Sequence, residues 1–307
     1  MKPYEAAKIK PLVVIFCWER FEALSMALPR VVNATRKVGG YLWAIDDASK
    51  DDRIPRMLKD WHEKGFIDWI TLGKINRHVD WMDNRGMISR LARRSIIMHW
   101  LHKHKAPVAI LVEADMVIGP NVFEDLLEAN VLAHRNNIPY SSLCGFHYNL
   151  TIFSCAPERL GRFEIRKFGR NMSQPVVLIT YKALQFVEKN KLSKEPQRWS
   201  LNHYAVNASE VGLHAVFVMN LPTQHLGVGI VGSGIRTQAI WEPRGWTDKS
   251  GTTLVQVPGF DLAEFDRVAK TTFPPVQNFA RGDARQQQII EKQEVSKWFT
   301  EYVKETA

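Results

Sequence analysis

The hydrophobic pattern switches repeatedly between short, continuous apolar runs and longer stretches with helical spacing. Pro11 to Trp18, Tyr41 to Ile45 and Trp69 to Leu72 are bounded apolar runs of strand length. Between them, Glu19-Arg20 opens a helix carrying Leu24, Met26, Leu28 and Val31, which Gly39-Gly40 closes. Arg53 to Lys64 is amphipathic, and Asn84 to about Lys103 predicts a long helix. Val108 to Val112 is a fourth apolar run, and a further helix begins near Asn121. Strands alternating with helices predict βαβ units and a mostly parallel sheet. In such sheets ligands gather at the carboxyl ends of the strands. Arg20, Asp46, Asp47, Glu113 and Asp115 all fall at those ends.

Beyond Asn130 the pattern loosens. Ser141 to Phe153 predicts a strand pair, Val176 to Thr180 a strand, and Lys182 to Lys191 a helix. A second helix runs from about Trp199 to Val211, and Ala215 to Met219 reads as the last strand. The glycine run Gly227 to Gly234 does not open a βαβ unit, so it is not a dinucleotide fingerprint. Trp241 to about Arg281 reads as a loop-rich wrap, and Asp283 to Thr306 as a terminal helix with Val295, Trp298, Phe299 and Tyr302 on one stripe.

Composition narrows the class. A chain of 307 residues, 45% apolar and 24% charged, can bury a sizeable core. No apolar run approaches the roughly 20 residues of a bilayer span, and Met1 to Lys10 has no signal-peptide apolar segment. Cys17, Cys144 and Cys155 are odd in number and unpatterned, so the expected compartment is a reducing cytoplasm. The formal net charge of +9 favours an anionic partner without choosing among nucleic acid, membrane surface and phosphorylated ligand.

The candidate chemistry centres on Ile110 to Pro120, where an apolar run meets Glu113 and Asp115. Read as residues i and i+2 of one strand, the two carboxylates share a face and could hold one hard cation bridging substrate phosphates. The plainer reading is a strand end that caps the next helix. Asp46-Asp47 likewise fits a turn or cap. His99, His102 and His104 crowd the end of a basic helix, where cations complement the helix dipole, and are not read as a metal site.

The succession PLVVIFCWER at 11–20, Ile45-Asp-Asp-Ala-Ser49, Asn84-Arg-Gly86 and Glu113-Ala-Asp115 resembles GT-A glycosyltransferases of the large family 2 type, over roughly residues 11 to 235. The resemblance implies an α/β, Rossmann-like mixed and mostly parallel sheet flanked by helices. It implies a transferase domain over residues 1–240, with a donor half at about 11–120 and an acceptor half at about 121–240. Residues 241–307 then form a loop-rich and helical C-terminal extension. It implies Asp46 or Asp47 on the base side of the donor, with Arg20, Asn84 and Glu113 also on the donor side; of Arg90, Arg93 and Arg94, crowded on the predicted basic helix, one is expected to face the donor diphosphate, with Arg94 as the candidate. Glu113 and Asp115 occupy the acidic D-x-D positions, with Asp115 as metal ligand. Gln224-His225-Leu-Gly227 resembles the late histidine motif that completes the Mn2+ or Mg2+ site. The region that usually carries the base reads Lys194-Glu-Pro-Gln-Arg198, so Glu195 is the base expected, and the stereochemical course stays open.

The function expected is metal-dependent transfer of a sugar from a nucleotide-sugar donor, a UDP-sugar foremost, to a hydroxyl acceptor. One acceptor class is DNA bearing hydroxymethylated pyrimidines, as in phage-type enzymes acting in the host cytoplasm, with Arg166, Lys167, Arg170 and Trp199 as contacts. The rivals are a cytosolic enzyme of envelope glycan or glycolipid assembly, without a stable membrane anchor, and a non-catalytic nucleic-acid-binding protein on a transferase scaffold.

Overall fold

The structure, a computed structural model, describes residues 10–17, 21–46, 48–73, 107–145, 155–168, 176–187, 189, 208–219, 221–225 and 263, with the backbone alone at 168, 224 and 225. The expected long helix after Asn84, the second half of the 141–153 strand pair, most of the 199–211 helix, the glycine run and the C-terminal extension lie outside the described residues.

The first strand, β1 (Leu12–Cys17), is apolar throughout and buried on both faces, as a central strand of a layered α/β sheet must be. Helix α1 (Phe21–Lys37) follows, with Glu22 in its first turn and Arg36 and Lys37 in its last, the arrangement that complements a helix dipole. Pro29 lies inside it and cannot donate to the Ser25 carbonyl. The predicted stop at Gly39-Gly40 is a Schellman turn. Gly39 has φ +63°, Gly40 N–H donates to Thr35 O and Gly39 N–H to Arg36 O, both at 3.0 Å. Strand β2 (Tyr41–Asp46) leads to α2 (Arg53–Glu63). That helix ends the same way, with Gly65 at φ +71° and Phe66 N–H on Trp61 O at 2.8 Å. The rings of Trp61 and Phe66, 5.3 Å apart, supply the apolar contact that accompanies this motif.

Strands β3 (Trp69–Leu72) and β4 (Val108–Glu113) complete the first half of the large sheet. Then come β5 (Met116–Ile118), α3 (Val122–Arg135), β6 (Tyr140–Cys144), β7 (Glu158–Leu160), β8 (Phe163–Phe168), β9 (Val176–Thr180), α4 (Tyr181–Val187), β10 (His214–Val218) and β11 (Thr223–His225). Nine strands form one sheet in the order β3-β2-β1-β4-β9-β6-β10-β8-β7, while β5 and β11 form a separate two-stranded ribbon. Only β8 and β9 run against the other seven strands of the large sheet, so the expected mostly parallel sheet is observed. One face is covered by α1, α2 and α3 through Leu24, Leu28, Ile54, Leu58, Phe123 and Leu126. The other carries Leu12, Val14, Leu111, Val177 and Phe217, packed with Leu184, Val187 and Ala208.

Three expectations are corrected. Residues 158–168 form a hairpin, β7–β8, over a stretch in which the hydrophobic pattern predicts no strand. Thr223–His225 is a strand, so β10 is not the last. Glu113 and Asp115 do not alternate on one strand: β4 ends at Glu113, and Ala114-Asp115 is a turn leading into β5.

Candidate functional site at the carboxyl edge of the sheet

Register places the acidic strand ends at one edge. Cys17 of β1 stands level with Asp46, and Phe16 with Glu113. Asp46 and Glu113 therefore flank β1 two strand spacings apart, roughly 9 to 10 Å. The pleat sends them to opposite faces. Asp46 follows Leu42 and Ala44 onto the α1–α2 face, and Glu113 follows Ala109 and Leu111 onto the other. One cation cannot bridge that separation.

Asp46 is 3% exposed. Its carboxylate accepts from the Ser49 hydroxyl at 2.5 Å and from the Ser49 N–H at 3.2 Å. It thereby closes the loop from β2 to α2, in which Ala48 takes φ +58°. The turn-forming reading holds for Asp46. Beside this loop Arg53 donates to Asp51, at 2.9 Å from Nε, and to Glu22, at 3.0 Å from Nη2, and lies 4.4 Å over the Phe21 ring. Hydrogen bonding to Arg53 holds the Asp51 carboxyl below the usual range, outweighing the opposing effect of burial. Oε2 of Glu22 is enclosed yet accepts no hydrogen bond, the one such side-chain oxygen or nitrogen among the described residues. An enclosed acceptor without a donor asks for an explanation. Nothing in the sequence pattern singled Glu22 out, because a first-turn Glu is ordinary helix chemistry.

The second cluster lies where β4 ends. Ala114 N–H donates to Phe16 O at 3.0 Å, carrying the ladder one residue past Glu113. Asp115, 6% exposed, then occupies the turn before β5. Strand β5 leaves the large sheet and pairs antiparallel with β11: Ile118 with Thr223, Val117 with Gln224, Met116 with His225. Directly opposed antiparallel residues have Cα atoms about 4.5 to 5.5 Å apart. The backbone of His225 is therefore set beside the residue that follows Asp115, although 110 positions separate the two in sequence. Among the described side chains no group of three or more His, Cys, Asp and Glu residues is gathered as a metal site.

The expected acceptor contacts lie elsewhere. Arg166 is 1% exposed; its Nε donates to Glu164 at 3.2 Å and its Nη1 to the Cys155 carbonyl at 2.6 Å. A phosphate contact needs an exposed guanidinium, so Arg166 is withdrawn from that role. Burial raises the Glu164 carboxyl above its usual range, and the Arg166 guanidinium opposes the rise. Lys167 is held by Glu158 at 2.7 Å. Arg162, in the turn between β7 and β8, clasps Asp125 and Glu128 at 2.5 and 2.7 Å. Strand β8 also stands four spacings from β4, roughly 19 Å. Arg20, Asp47, Asn84, Arg94, Arg170, Glu195 and Trp199 lie outside the described residues.

No family model and no curated protein sequence matches this chain. Among solved structures it is similar to GalNAc-T7 with UDP, GalNAc and Mn2+, at 15% identity over 68% of this chain and 41% of that one, with a TM-score of 0.46. It is also similar to the mannosyltransferase PcManGT from Pyrobaculum calidifontis in complex with GDP-Man and Mn2+, at 11% identity over 97% and 73% of the two chains, TM-score 0.46. A third likeness is to S. aureus TarS 1-349 in complex with UDP, at 10% identity over 68% and 57%, TM-score 0.42. The chain spans less than half the length of the first. At such identities and scores the likenesses assign neither activity nor ligand, and function has to come from the site.

Proposed function

We propose that this chain is a metal-dependent glycosyltransferase acting on a nucleotide-sugar donor. The observation that supports the proposal is the β5–β11 ladder, which pairs the backbone of His225 with Met116, the residue after Asp115, at the carboxyl edge where Asp46 and Glu113 also end. The donor set suits the cation: a carboxylate oxygen from Asp115 and a neutral imidazole from His225 fit Mn2+, with Mg2+ served by the oxygen ligands. Bound there, a divalent cation offsets the negative charge that a nucleoside diphosphate gathers as it leaves. Asp46, through Ser49, holds the loop that faces the nucleoside, and the open acceptor on Glu22 suits a donor hydroxyl. Arg20, Asp47, Asn84, Arg94 and Glu113 complete the donor side, and Glu195 is the proposed base. Residues 1–240 form the transferase unit in this scheme, with 241–307 as an extension.

The finer acceptor proposal, a hydroxymethylated pyrimidine in DNA, draws on the +9 balance. The described residues carry sixteen Lys and Arg against fifteen Asp and Glu, so nearly all of that surplus lies on residues outside them, Arg170 among them. With Arg166 buried and Lys167 paired, Arg170 and Trp199 are the contacts that remain. No helix among the described residues is long and apolar enough to cross a membrane.

The test is a panel of UDP- and GDP-sugars scored by melting temperature and sugar release, each with and without Mn2+. Only a ligand that prefers the folded state raises the melting temperature. We expect stabilisation and slow sugar release that both need Mn2+. A panel in which no nucleotide sugar shifts the transition under either condition sinks the proposal. For the acceptor, transfer to lipid-linked glycans and never to modified DNA would replace the DNA assignment with envelope-glycan assembly.

A further inference from the structure

The β5–β11 ribbon stands apart from the nine-stranded sheet, and two short strands are marginal by themselves. The two sides of the ribbon are fastened differently. On β5, Met116 and Ile118 are at most 1% exposed and belong to the core under α1. On β11 the fastening is polar. The Gly119 N–H donates to the Pro222 carbonyl at 2.8 Å, and the Thr223 hydroxyl, in a residue 8% exposed, donates to the Gly145 carbonyl at 2.9 Å. Gly145 directly follows β6, and its own N–H donates to Val176 O at 3.0 Å. The carbonyl that receives Thr223 is thus itself held by the large sheet. The crossing is tight: a Cβ on Gly145 would come within 3.3 Å of Val176, 3.5 Å of Leu221 and 3.6 Å of Leu126.

Thr223 and His225 are the two ends of one three-residue strand, about 6.6 Å apart. A strand that short moves as a body, so whatever fixes Thr223 fixes the position of His225. We propose that Thr223 is a positioning residue for the metal edge, its hydroxyl bond to Gly145 holding β11 in the register that pairs His225 with Met116, the residue after Asp115. This rests on the metal roles proposed for those two residues. It also gives the acceptor half a route to the donor site, because Gly145 directly follows β6 at the carboxyl edge.

The experiment measures Mn2+ binding directly, from the loss of the free Mn2+ electron paramagnetic resonance signal in the presence of UDP or GDP, alongside the melting temperature of each metal-free protein. Thr223→Val keeps the volume and removes the donor, leaving a buried carbonyl unpaired. It should weaken Mn2+ binding roughly tenfold, the equivalent of about 1.4 kcal/mol. Thr223→Ser keeps the hydroxyl and should bind Mn2+ as the wild type does. Weakened Mn2+ binding in a folded Thr223→Ser overturns the proposal even if Thr223→Val does not fold. So does wild-type affinity in a folded Thr223→Val. A wild-type chain that binds no Mn2+ with either nucleotide overturns the metal assignment beneath it instead.

Discussion

The two halves of the sheet handle charge in opposite ways. In the β3-β2-β1-β4 half, strand interiors such as Leu12–Ile15 and Val108–Val112 are wholly apolar, and the carboxylates stand at strand ends, on Asp46 and Glu113, or in the turn beyond, on Asp115. In the other half the charges lie within the sheet and against its helices. Glu164 and Arg166 are buried in mid-strand on β8, and Asp125 of α3 is 8% exposed against Arg162. A charge inside a layered sheet has to be neutralised where it stands. One at a strand end can face a ligand. The first half therefore leaves its acids at the edge and the second encloses them against basic partners, and a basic residue on a strand is poor evidence of a binding surface.

The largest effect should come from the donor side. Asp115→Asn is expected to lower Mn2+-dependent sugar release by at least about a hundredfold, on the order of 3 kcal/mol of barrier, with the melting temperature nearly unchanged. Full turnover by the folded variant would place the chemistry elsewhere and erase the contrast.

Next is the buried pair. Arg166→Met leaves Glu164 enclosed without its partner and should lose about 3 to 5 kcal/mol of unfolding free energy in urea. The double variant Glu164→Gln/Arg166→Met should recover much of that loss. A stable Arg166→Met that had lost only acceptor affinity would move Arg166 from architecture to binding.

A smaller effect follows from Asp125, whose carboxyl burial pushes up to about 6, against the pull of Arg162. The folded protein then holds this proton more tightly than the unfolded chain between the ordinary carboxylate range and pH 6. The contribution of Asp125 to stability is thus greatest at low pH and falls as pH rises through 6. Subtracting Asp125→Asn from the wild type removes the other titrating groups. That difference should shift toward the wild type by about 1 to 2 kcal/mol between pH 7 and pH 4.5. A difference that is flat with pH would show Asp125 to be an ordinary surface acid.

The smallest effect is expected at Lys167, whose pair with Glu158 is partly exposed. Lys167→Ala should change stability by about 0 to 1 kcal/mol and leave the salt dependence of any DNA binding as it was. A slope flatter by about 0.9 would restore Lys167 as a phosphate contact.

What the sequence determined by itself was the apolar framework and its stops. Continuous runs such as LVVIFC are stable only when both faces are covered, and Gly39 and Gly65 sit where a Schellman turn needs positive φ. These are local properties of the chain, so β1 to β4, α1, α2 and β9 were legible with their approximate ends. The β7–β8 hairpin left a weaker trace, Gly161-Arg162 as a two-residue turn between Leu160 and Phe163. It was masked because Glu164 and Arg166 interrupt the usual alternation with charges that only burial beside each other makes tolerable.

Tertiary structure alone decided the rest. Asp115 belongs to a turn because β5 is drawn off the sheet by a partner strand 110 residues away. Arg166 is buried because Glu164 and the Cys155 carbonyl meet it there. Thr223 became significant only when its hydroxyl was seen to close on Gly145. Each of these is a contact between segments distant in sequence, and no local periodicity encodes such a contact. Propensity acts over a few residues, whereas the partner that neutralises a charge or completes a ribbon is chosen by the fold.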